Sequence, residues 1–144
     1  MAVETALAFQ WVNSEMRADT ALVAALGSTA TIAQDIADSG TVAPYALYNR
    51  QGGNDVTNLQ AIRLWSSILM QIKAVGPNAN YAALVVIADR IDALFKDRRN
   101  VGFSSGGILA CYREQEVAYP EPKLINGAAW SHLGGLYRID LMAS

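Results

Sequence analysis

The chain has 144 residues, a hydrophobic fraction of 52%, a charged fraction of 17% and a net charge of −2. This length fits one domain over residues 1–144, and it suffices to bury a core without a metal or disulfide staple. Eleven basic against thirteen acidic residues, with no basic block, exclude a dedicated nucleic-acid binder, because such binding needs many cations to displace counterions from phosphates. Globular chains usually carry about 25% charged residues, so part of the apolar excess is expected at subunit contacts.

Cys111 is the only cysteine, so no intrachain disulfide is possible, and a lone thiol in a strand-like segment is typically a small buried apolar residue. The first residues lack the basic and apolar regions of a signal peptide. No apolar stretch approaches the ~20 residues that span a bilayer. We therefore expect a protein made and kept in a reducing cytoplasm, without a membrane partner.

The N-terminal part predicts a helix over residues 3–26 that breaks near Ala18–Asp19. Asp19 or Ser14 is suited to cap the second segment. Gly27 follows where a left-handed C-terminal cap is expected. Residues 30–37 then predict a short strand.

A second group of strands is predicted in the middle of the chain. Residues 44–50 predict a strand with proline at its entry, and the glycine-rich segment 52–55 predicts a mobile loop. Residues 60–75 carry the clearest alternation, with one almost wholly apolar parity formed by Ile62, Leu64, Ser66, Ile68, Met70, Ile72 and Ala74. Because strand side chains alternate between faces, this pattern predicts a long strand with one buried face.

Residues 79–96 predict a helix, because apolar residues recur at steps of three and four. This stripe consists of Leu84, Ile87, Ala88, Ile91, Leu94 and Phe95. Lys96, Arg98 and Arg99 follow at its C-terminal end, where cations complement the helix dipole.

The last third predicts a turn at 104–107, strands at 108–119 and 129–142, and between them a break at Pro120–Pro122 with a flexible stretch through Gly127. Two consecutive strands without an intervening helix indicate antiparallel pairing. The fold class is therefore α+β, with a mixed, mainly antiparallel sheet and helices packed on one face.

No constellation of residues predicts catalysis, a cofactor or a metal. His132 is the only histidine, so a nucleophile–base pair would need it, and Cys111 could reach it only if the last two strands pair. A surface or interface histidine is the favoured interpretation. Glu114 and Glu116 are predicted on one strand face, as a solvated edge or an intersubunit salt bridge rather than an acid/base pair. Asp35 and Asp38 favour capping and solvation over metal binding.

Four arginines are candidates for an interface or a channel. Arg98 and Arg99 form a short cationic pair whose favoured interpretation is a solvated helix end, and whose alternative is an inward-facing charge in a channel that passes DNA. Arg50 and Arg63 join them as possible lumen or interface residues.

The order of these segments resembles the tail terminator, or tail completion, family of long-tailed bacteriophages. The resemblance is carried by the segments Asp19–Gly27, Ile32–Ala37, Ala43–Tyr48, the strand 61–74 with the helix 81–95 that carries Ala88-Asp89-Arg90-Ile91, and His132–Arg138. The segments Gly52–Asn58 and Pro120–Gly127 match no such pattern.

This resemblance implies a structural virion subunit that is not an enzyme. It implies a homo-hexameric ring at the head-proximal end of the tail tube, which ends tube growth, docks to the head-completion or connector protein and lets DNA pass non-specifically through its lumen. Localisation in the virion tail follows, after synthesis in the host cytoplasm. The alternatives are another head–tail connector, such as a head-completion or stopper protein, a tail-tube subunit, a small enzyme using Cys111 or His132, and an oligomeric binding module outside any virus.

Overall fold

The computed structural model of the protein describes residues 2–103, 105–121 and 129–143. The helices are α1 (Ala2–Ala18), α2 (Thr20–Leu26) and α3 (Tyr81–Phe95), the last preceded by a 3₁₀ turn at Asn78–Asn80. The strands are β1 (Ile32–Gln34), β2 (Tyr45–Thr57), β3 (Arg63–Pro77), β4 (Asp97–Phe103), β5 (Gly106–Glu121) and β6 (Trp130–Ala143).

The six strands form one sheet in the order β1-β2-β3-β6-β5-β4. Only β1 and β2 run parallel, and the other four pairs are antiparallel. The last two predicted strands do pair, as β5 and β6. The predicted α+β class with a mixed, mainly antiparallel sheet is confirmed.

The predicted break in the first helix is confirmed, and Asp19 is the residue that makes it. Its carboxylate accepts a hydrogen bond from the Leu22 amide at 2.7 Å, which caps α2, and another from Arg90 Nε of α3 at 2.8 Å. The Arg90 hydrogen bond lowers the pKa of Asp19. Gly27 ends α2 with a φ of 86°, which a residue with a side chain adopts only with strain. One carboxylate therefore joins the α1–α2 corner to α3.

Replacing Asp19 with alanine is expected to lower the free energy of unfolding by about 2–4 kcal/mol, since a helix cap and a charged hydrogen bond are lost together. Asp19→Asn is the matched control, because asparagine caps equally well but carries no charge, and we expect about half that loss. Urea denaturation at pH 7 measures both. The carboxylate's contribution is present above its unfolded-state pKa and disappears as the pH falls through the lowered folded pKa. Equal stability of the alanine variant and the unaltered protein would contradict this assignment.

The core lies between the helices and one face of the sheet. Predicted inward residues of β3 from Ser66 to Ala74 are buried. Ile62 and Leu64 are exposed, because Ile62 precedes β3 and Leu64 lies at a register shift in the pairing with β2. The α3 stripe is confirmed by the complete burial of Leu84, Ile87, Ile91 and Phe95.

An aromatic cluster connects α1, α3 and β6. The Phe95 ring meets the Trp11 ring of α1 edge-on at 5.4 Å and the Tyr137 ring of β6 at 5.9 Å. Tyr137 donates its hydroxyl to Asp92 of α3 at 3.0 Å. Burial and this carboxylate raise the pKa of Tyr137, so the hydroxyl remains a donor.

In the first half of the sheet, one prediction was wrong and another strand was predicted too long. The loop predicted at 52–55 is strand, because β2 absorbs one extra residue as a bulge after Arg50 and then continues to pair with β3. The strand predicted at 30–37 is limited to Ile32–Gln34, because Asp35 turns the chain with a φ of 63°.

Three further predictions about the second half were also wrong. Arg98 and Arg99 do not lie at a helix end, because α3 stops at Phe95 and the chain enters β4 at once. Gly106 and Gly107 belong to β5 rather than to a turn, and Pro120 does not end that strand. An edge position has no partner for an N–H, so proline is tolerated there. The predicted flexible stretch from Pro122 to Gly127 lies outside the described residues.

None of the helices in the described ranges is long and apolar enough to cross a membrane.

Candidate subunit interface

The face of the sheet opposite the helices, here called the open face, carries a cluster of polar and aromatic side chains. His132 Nε2 lies 2.6 Å from Glu121 Oε1, and the imidazole stacks on the Tyr119 ring with the two centroids 4.4 Å apart. Lys73 Nζ donates to the Tyr119 hydroxyl at 2.5 Å. The cluster links β3, β6 and β5, which are neighbours in the sheet.

His132 is the titratable centre of this cluster. Burial lowers its pKa, and the nearby Lys73 charge acts in the same direction, while Glu121 opposes both. The neutral ring therefore donates from Nε2 to Glu121, and the buried Nδ1 has no hydrogen-bond partner among the residues that the structure describes. Such an arrangement holds strands together and leaves no activated base.

Stability is expected to fall as the pH decreases from 7.5 to 5.5, because His132 resists protonation in the folded state. The unfolded histidine takes up a proton near its ordinary pKa of about 6.5, so the unfolded state binds more protons than the folded state in this pH window. The free energy of unfolding therefore decreases as the pH is lowered. His132→Gln should flatten the dependence. Urea denaturation at both pH values measures it, and an unchanged slope in the variant would assign the effect to another group.

The residues that an enzyme would need are kept apart. Cys111 lies opposite Ile139 and faces the helices, whereas His132 lies opposite Tyr119 on the open face. Burial raises the pKa of Cys111 to about 12, so its thiol is inert. The Cys111–His132 pair considered from the sequence does not form.

Glu114 and Glu116 lie on opposite faces, and the prediction that they share one was wrong. The physical reason is a bulge between Arg113 and Gln115, which inserts one extra residue and reverses the alternation. Glu114 pairs with Arg138 at 2.8 Å on the open face. Glu116 points to the helix side, where it lines a groove beside α3.

Across the described part of the chain, no group of three or more histidine, cysteine, aspartate or glutamate side chains is arranged to hold a metal ion. Asp35 and Asp38 lie in bends next to β1.

The sheet has two long backbone edges without a neighbouring strand. β1 covers β2 only at Ala46–Tyr48, so β2 is free from Asn49 onwards among the described residues. β4 covers β5 only up to Tyr112, so the part of β5 from Arg113 onwards is free in the same sense. We call these stretches the β2 edge (49–57) and the β5 edge (113–121). Unpaired edges of this kind are templates for strand addition.

The β2–β3 hairpin, which we call the arm, turns between Thr57 and Arg63. Its tip exposes three apolar side chains, of Leu59, Ile62 and Leu64. The tip keeps a defined shape, since Asn58 Oδ1 accepts hydrogen bonds from the Gln60 and Ile62 amides at 2.9 and 3.0 Å. Ordered apolar side chains at an exposed tip are suited to contact another protein surface.

A groove of about 120 Å³ runs between α3 and the β5 edge. The α3 groove, as we call it, is lined by Tyr81, Val85, Ala88, Asp89, Asp92, Arg113, Glu116, Leu133, Gly134 and Tyr137. Tyr81 and Val86 on the outer side of α3 are 49% and 57% exposed. The apolar stripe predicted for α3 covers only its buried face and did not indicate this exposed apolar side. The signal in the sequence was the continuous apolar run from Ala82 to Ile87, which contains more apolar residues than a single buried face requires.

The structure places the four candidate arginines differently. Arg98 lies on the helix side, 2.7 Å from Glu15 and over the Trp11 ring, and Arg63 lies 2.8 Å from the buried Glu4. Arg99 is exposed on the open face beside Asp97, at 3.1 Å. Arg50 is exposed on the β2 edge.

Together these features define the class of the chain as an α+β fold that has one open sheet face and, among its described residues, two free sheet edges. The sequence matches no protein-family model and no curated protein. The structure is similar to a chain in the virion of a native gene transfer agent particle, with a TM-score of 0.68 over 92% of both chains. Their sequences are 13% identical, so the likeness establishes a shared fold.

Proposed function

We propose that the protein is a structural subunit of a phage-like virion, not an enzyme. In this proposal identical copies join into a hexameric ring at the head-proximal end of the tail tube. The ring ends tube growth and connects the tail to the head-completion or connector protein. The observation that carries the proposal is the fold shared over 92% of its length with a chain of a virion particle, combined with two free sheet edges.

The two edges are suited to join one another. β2 and β5 run in opposite directions, because antiparallel pairs link β2 to β3, β3 to β6 and β6 to β5. When copies are related by rotation about an axis alongside the strands, strand directions are preserved. The β2 edge of one copy then meets the β5 edge of the next in antiparallel fashion. Such a head-to-tail joint forms a ring when the rotation between neighbouring copies closes.

The dimensions of that ring suit a channel. Six copies contributing β2, β3, β6 and β5 form a wall of 24 strands, and at a spacing of about 4.8 Å its backbone diameter is roughly 35–45 Å, depending on strand tilt. Porins with 16–18 strands already enclose a water-filled channel. The wall leaves room for DNA to pass.

The charge of the open face fits a lumen that does not grip DNA. Arg138 is neutralised by Glu114 at 2.8 Å, and Arg99 by Asp97 at 3.1 Å. Tight DNA binding requires several uncompensated cations, each displacing a counterion. Paired charges therefore favour passage over retention, and Arg99 is the member of the candidate set that faces this lumen.

The arm supplies a contact along the tail axis. It extends from the end of the sheet that also holds the β6 C-terminus. Its exposed Leu59 and Ile62 are suited to contact the tail tube protein or the connector protein. Synthesis in the host cytoplasm and final location in the virion tail follow from this role.

A different head–tail connector, such as a head-completion or stopper protein, or a tail-tube subunit also fits a chain that resembles part of a whole particle. Ring symmetry separates these proposals. A sixfold ring that stops at the tube end supports the terminator, a twelvefold ring bound at the portal supports a connector, and stacking into tubes supports the tube subunit.

Native mass spectrometry and negative-stain imaging with purified tail tubes test the proposed function. We expect hexamers, or hexamers that form on the tubes, and rings at one tube end only. A strict monomer at high concentration that also fails to bind tubes would refute the proposal.

A further inference from the structure

We propose that Arg50 on the β2 edge of one copy forms an ion pair with Glu116 in the α3 groove of the next, which fixes the register of the joint. This inference rests on the proposed ring. It identifies the occupant of the α3 groove as the β2 edge of a second copy of this chain.

Arg50 differs from every other arginine in the described residues. Arg63, Arg90, Arg98, Arg99, Arg113 and Arg138 each have a carboxylate partner within 4.0 Å, and Arg17 donates to Asn13. Arg50 is exposed and has no hydrogen bond or ion pair in the described part of the chain. A free guanidinium on a free edge is suited to bind a carboxylate of another copy.

The α3 groove offers such carboxylates. Glu116 and Asp89 are exposed and have no ion pair within the described ranges, whereas Asp92 is occupied by Tyr137 and Arg113 at 3.0 and 3.4 Å. The groove therefore has an unbalanced negative charge directly beside the β5 edge. It is complementary to Arg50.

Both groups lie on the same side of the joined sheet. Arg50 pairs with the buried Met70 and so points to the helix side, and Glu116 lines a groove on that side. Rotation about the ring axis keeps the helix side of all copies on the same surface. Arg50 of one copy and Glu116 of the next are therefore not separated by the sheet.

The lengths of the free edges restrict the register. β1 blocks the joint before Asn49 and β4 blocks it before Arg113, so the antiparallel joint is limited to residues 49–57 of one copy and residues 113–121 of the next. With one bulge in each strand, at Gln51 and Glu114, pairing residues 49–55 with residues 119–113 places Gly53 opposite Glu116 and Asp55 opposite Arg113, and leaves Val56 and Thr57 outside the joint. Full overlap of the two edges differs from this register by two residues and would place Asp55 opposite Glu116, and like charges in that position are destabilising.

Gly53 makes room for the ion pair. A Cβ at this position would lie 3.1 Å from Arg50 Nη2, so the guanidinium rests over the bare backbone of Gly53. In the preferred register this is the point that Glu116 of the next copy reaches. The glycine that predicted a loop from sequence instead clears the site for the arginine.

The register also gives a strand tilt that suits closure. Within one copy, strand pairing aligns Glu116 with Gly135, Gly135 with Ile72 and Ile72 with Tyr48. In the joint, Gly53 of the neighbouring copy takes the position that Tyr48 has within the sheet. Each copy is therefore displaced along the strands by about four residues, once the bulge residue is subtracted. Four residues span roughly 13 Å and four strand spacings roughly 19 Å. The resulting tilt of about 35° lies at the lower limit of the usual range for closed barrels.

Charge reversal tests the pair. We expect Arg50→Glu and Glu116→Arg each to raise the concentration needed for half-assembly at least about tenfold, measured by analytical ultracentrifugation at low salt. The double variant Arg50→Glu/Glu116→Arg should assemble within a few-fold of the unaltered protein. Arg99→Glu is the matched control, since it reverses an exposed arginine away from both edges. Circular dichroism confirms folding of each variant.

The outcomes separate this pair from the ring itself. If the unaltered protein forms hexamers but the double variant assembles no better than the singles, the ion pair is refuted and the ring proposal remains. If the unaltered protein stays monomeric with and without tail tubes, the ring proposal fails and the ion pair fails with it.

Discussion

Phe95→Ala is expected to lower the free energy of unfolding by about 3–5 kcal/mol, the usual cost of truncating a buried phenylalanine. Phe95 is fully buried at the end of α3 and contacts the rings of Trp11 and Tyr137. Its removal leaves a cavity where α1, α3 and β6 meet. The contacts among these three elements hold the helices against the sheet. Since small domains are stable by only about 5–15 kcal/mol, this loss is a large fraction of the total.

Chemical denaturation monitored by tryptophan fluorescence measures that loss. Tyr112→Ala is the matched control, because Tyr112 is an aromatic residue on the same sheet that is 43% exposed, and we expect a change below about 1 kcal/mol. A loss of less than 1.5 kcal/mol for Phe95→Ala would show that the aromatic cluster does not anchor the helices.

Proline on the β5 edge is expected to abolish ring assembly without unfolding the subunit. Along an antiparallel edge strand, successive amides point alternately to the neighbouring strand and to solvent. Val117→Pro and Ala118→Pro therefore form an internally controlled pair. One removes a hydrogen bond to β6 and lowers stability, and the other removes only an outward donor and obstructs the edge.

The measurement compares unfolding and assembly of both variants. The variant with nearly normal stability should remain monomeric at concentrations where the unaltered protein is fully hexameric. If that variant assembles normally, copies do not join through β5.

Regular periodicity explains what the sequence predicted well. The α3 stripe and the β3 alternation each place consecutive apolar residues on one face, and burial of Leu84, Ile91, Ile68 and Met70 follows directly. Asp19 and Ser14 were the two candidate caps, because few side chains cap a helix, and the structure shows that Asp19 is the cap.

Bulges and pairing with strands distant in the chain explain what the sequence did not predict. Glu114 adds one residue to β5 and moves Glu116 to the other face, and no local signal indicates the insertion. Gly53 belongs to a strand because β3 pairs with it, and that is a tertiary effect overriding a turn-like composition.

The interface proposal depended on structure for the same reason. The sequence identified Arg50, Arg63, Arg98 and Arg99 without distinguishing them, because their partners are distant in the chain. Glu4 forms an ion pair with Arg63, and Glu15 forms one with Arg98. Only the three-dimensional arrangement shows that Arg50 has no ion-pair partner in the described ranges and lies on an edge that no described strand covers.

Cross-linking between the edges tests the central claim, that identical copies join β2 to β5 in a closed ring. In the preferred register Asn54 of one copy lies opposite Gln115 of the next, so Asn54→Cys/Gln115→Cys should form intermolecular disulfides. Within one copy the two positions are separated by β3 and β6, about 14 Å, which a disulfide cannot bridge, and Cys111 is buried. A non-reducing gel should show a ladder ending at six subunits, while each single variant gives at most dimers. Assembled protein that yields no ladder would contradict the edge-to-edge ring.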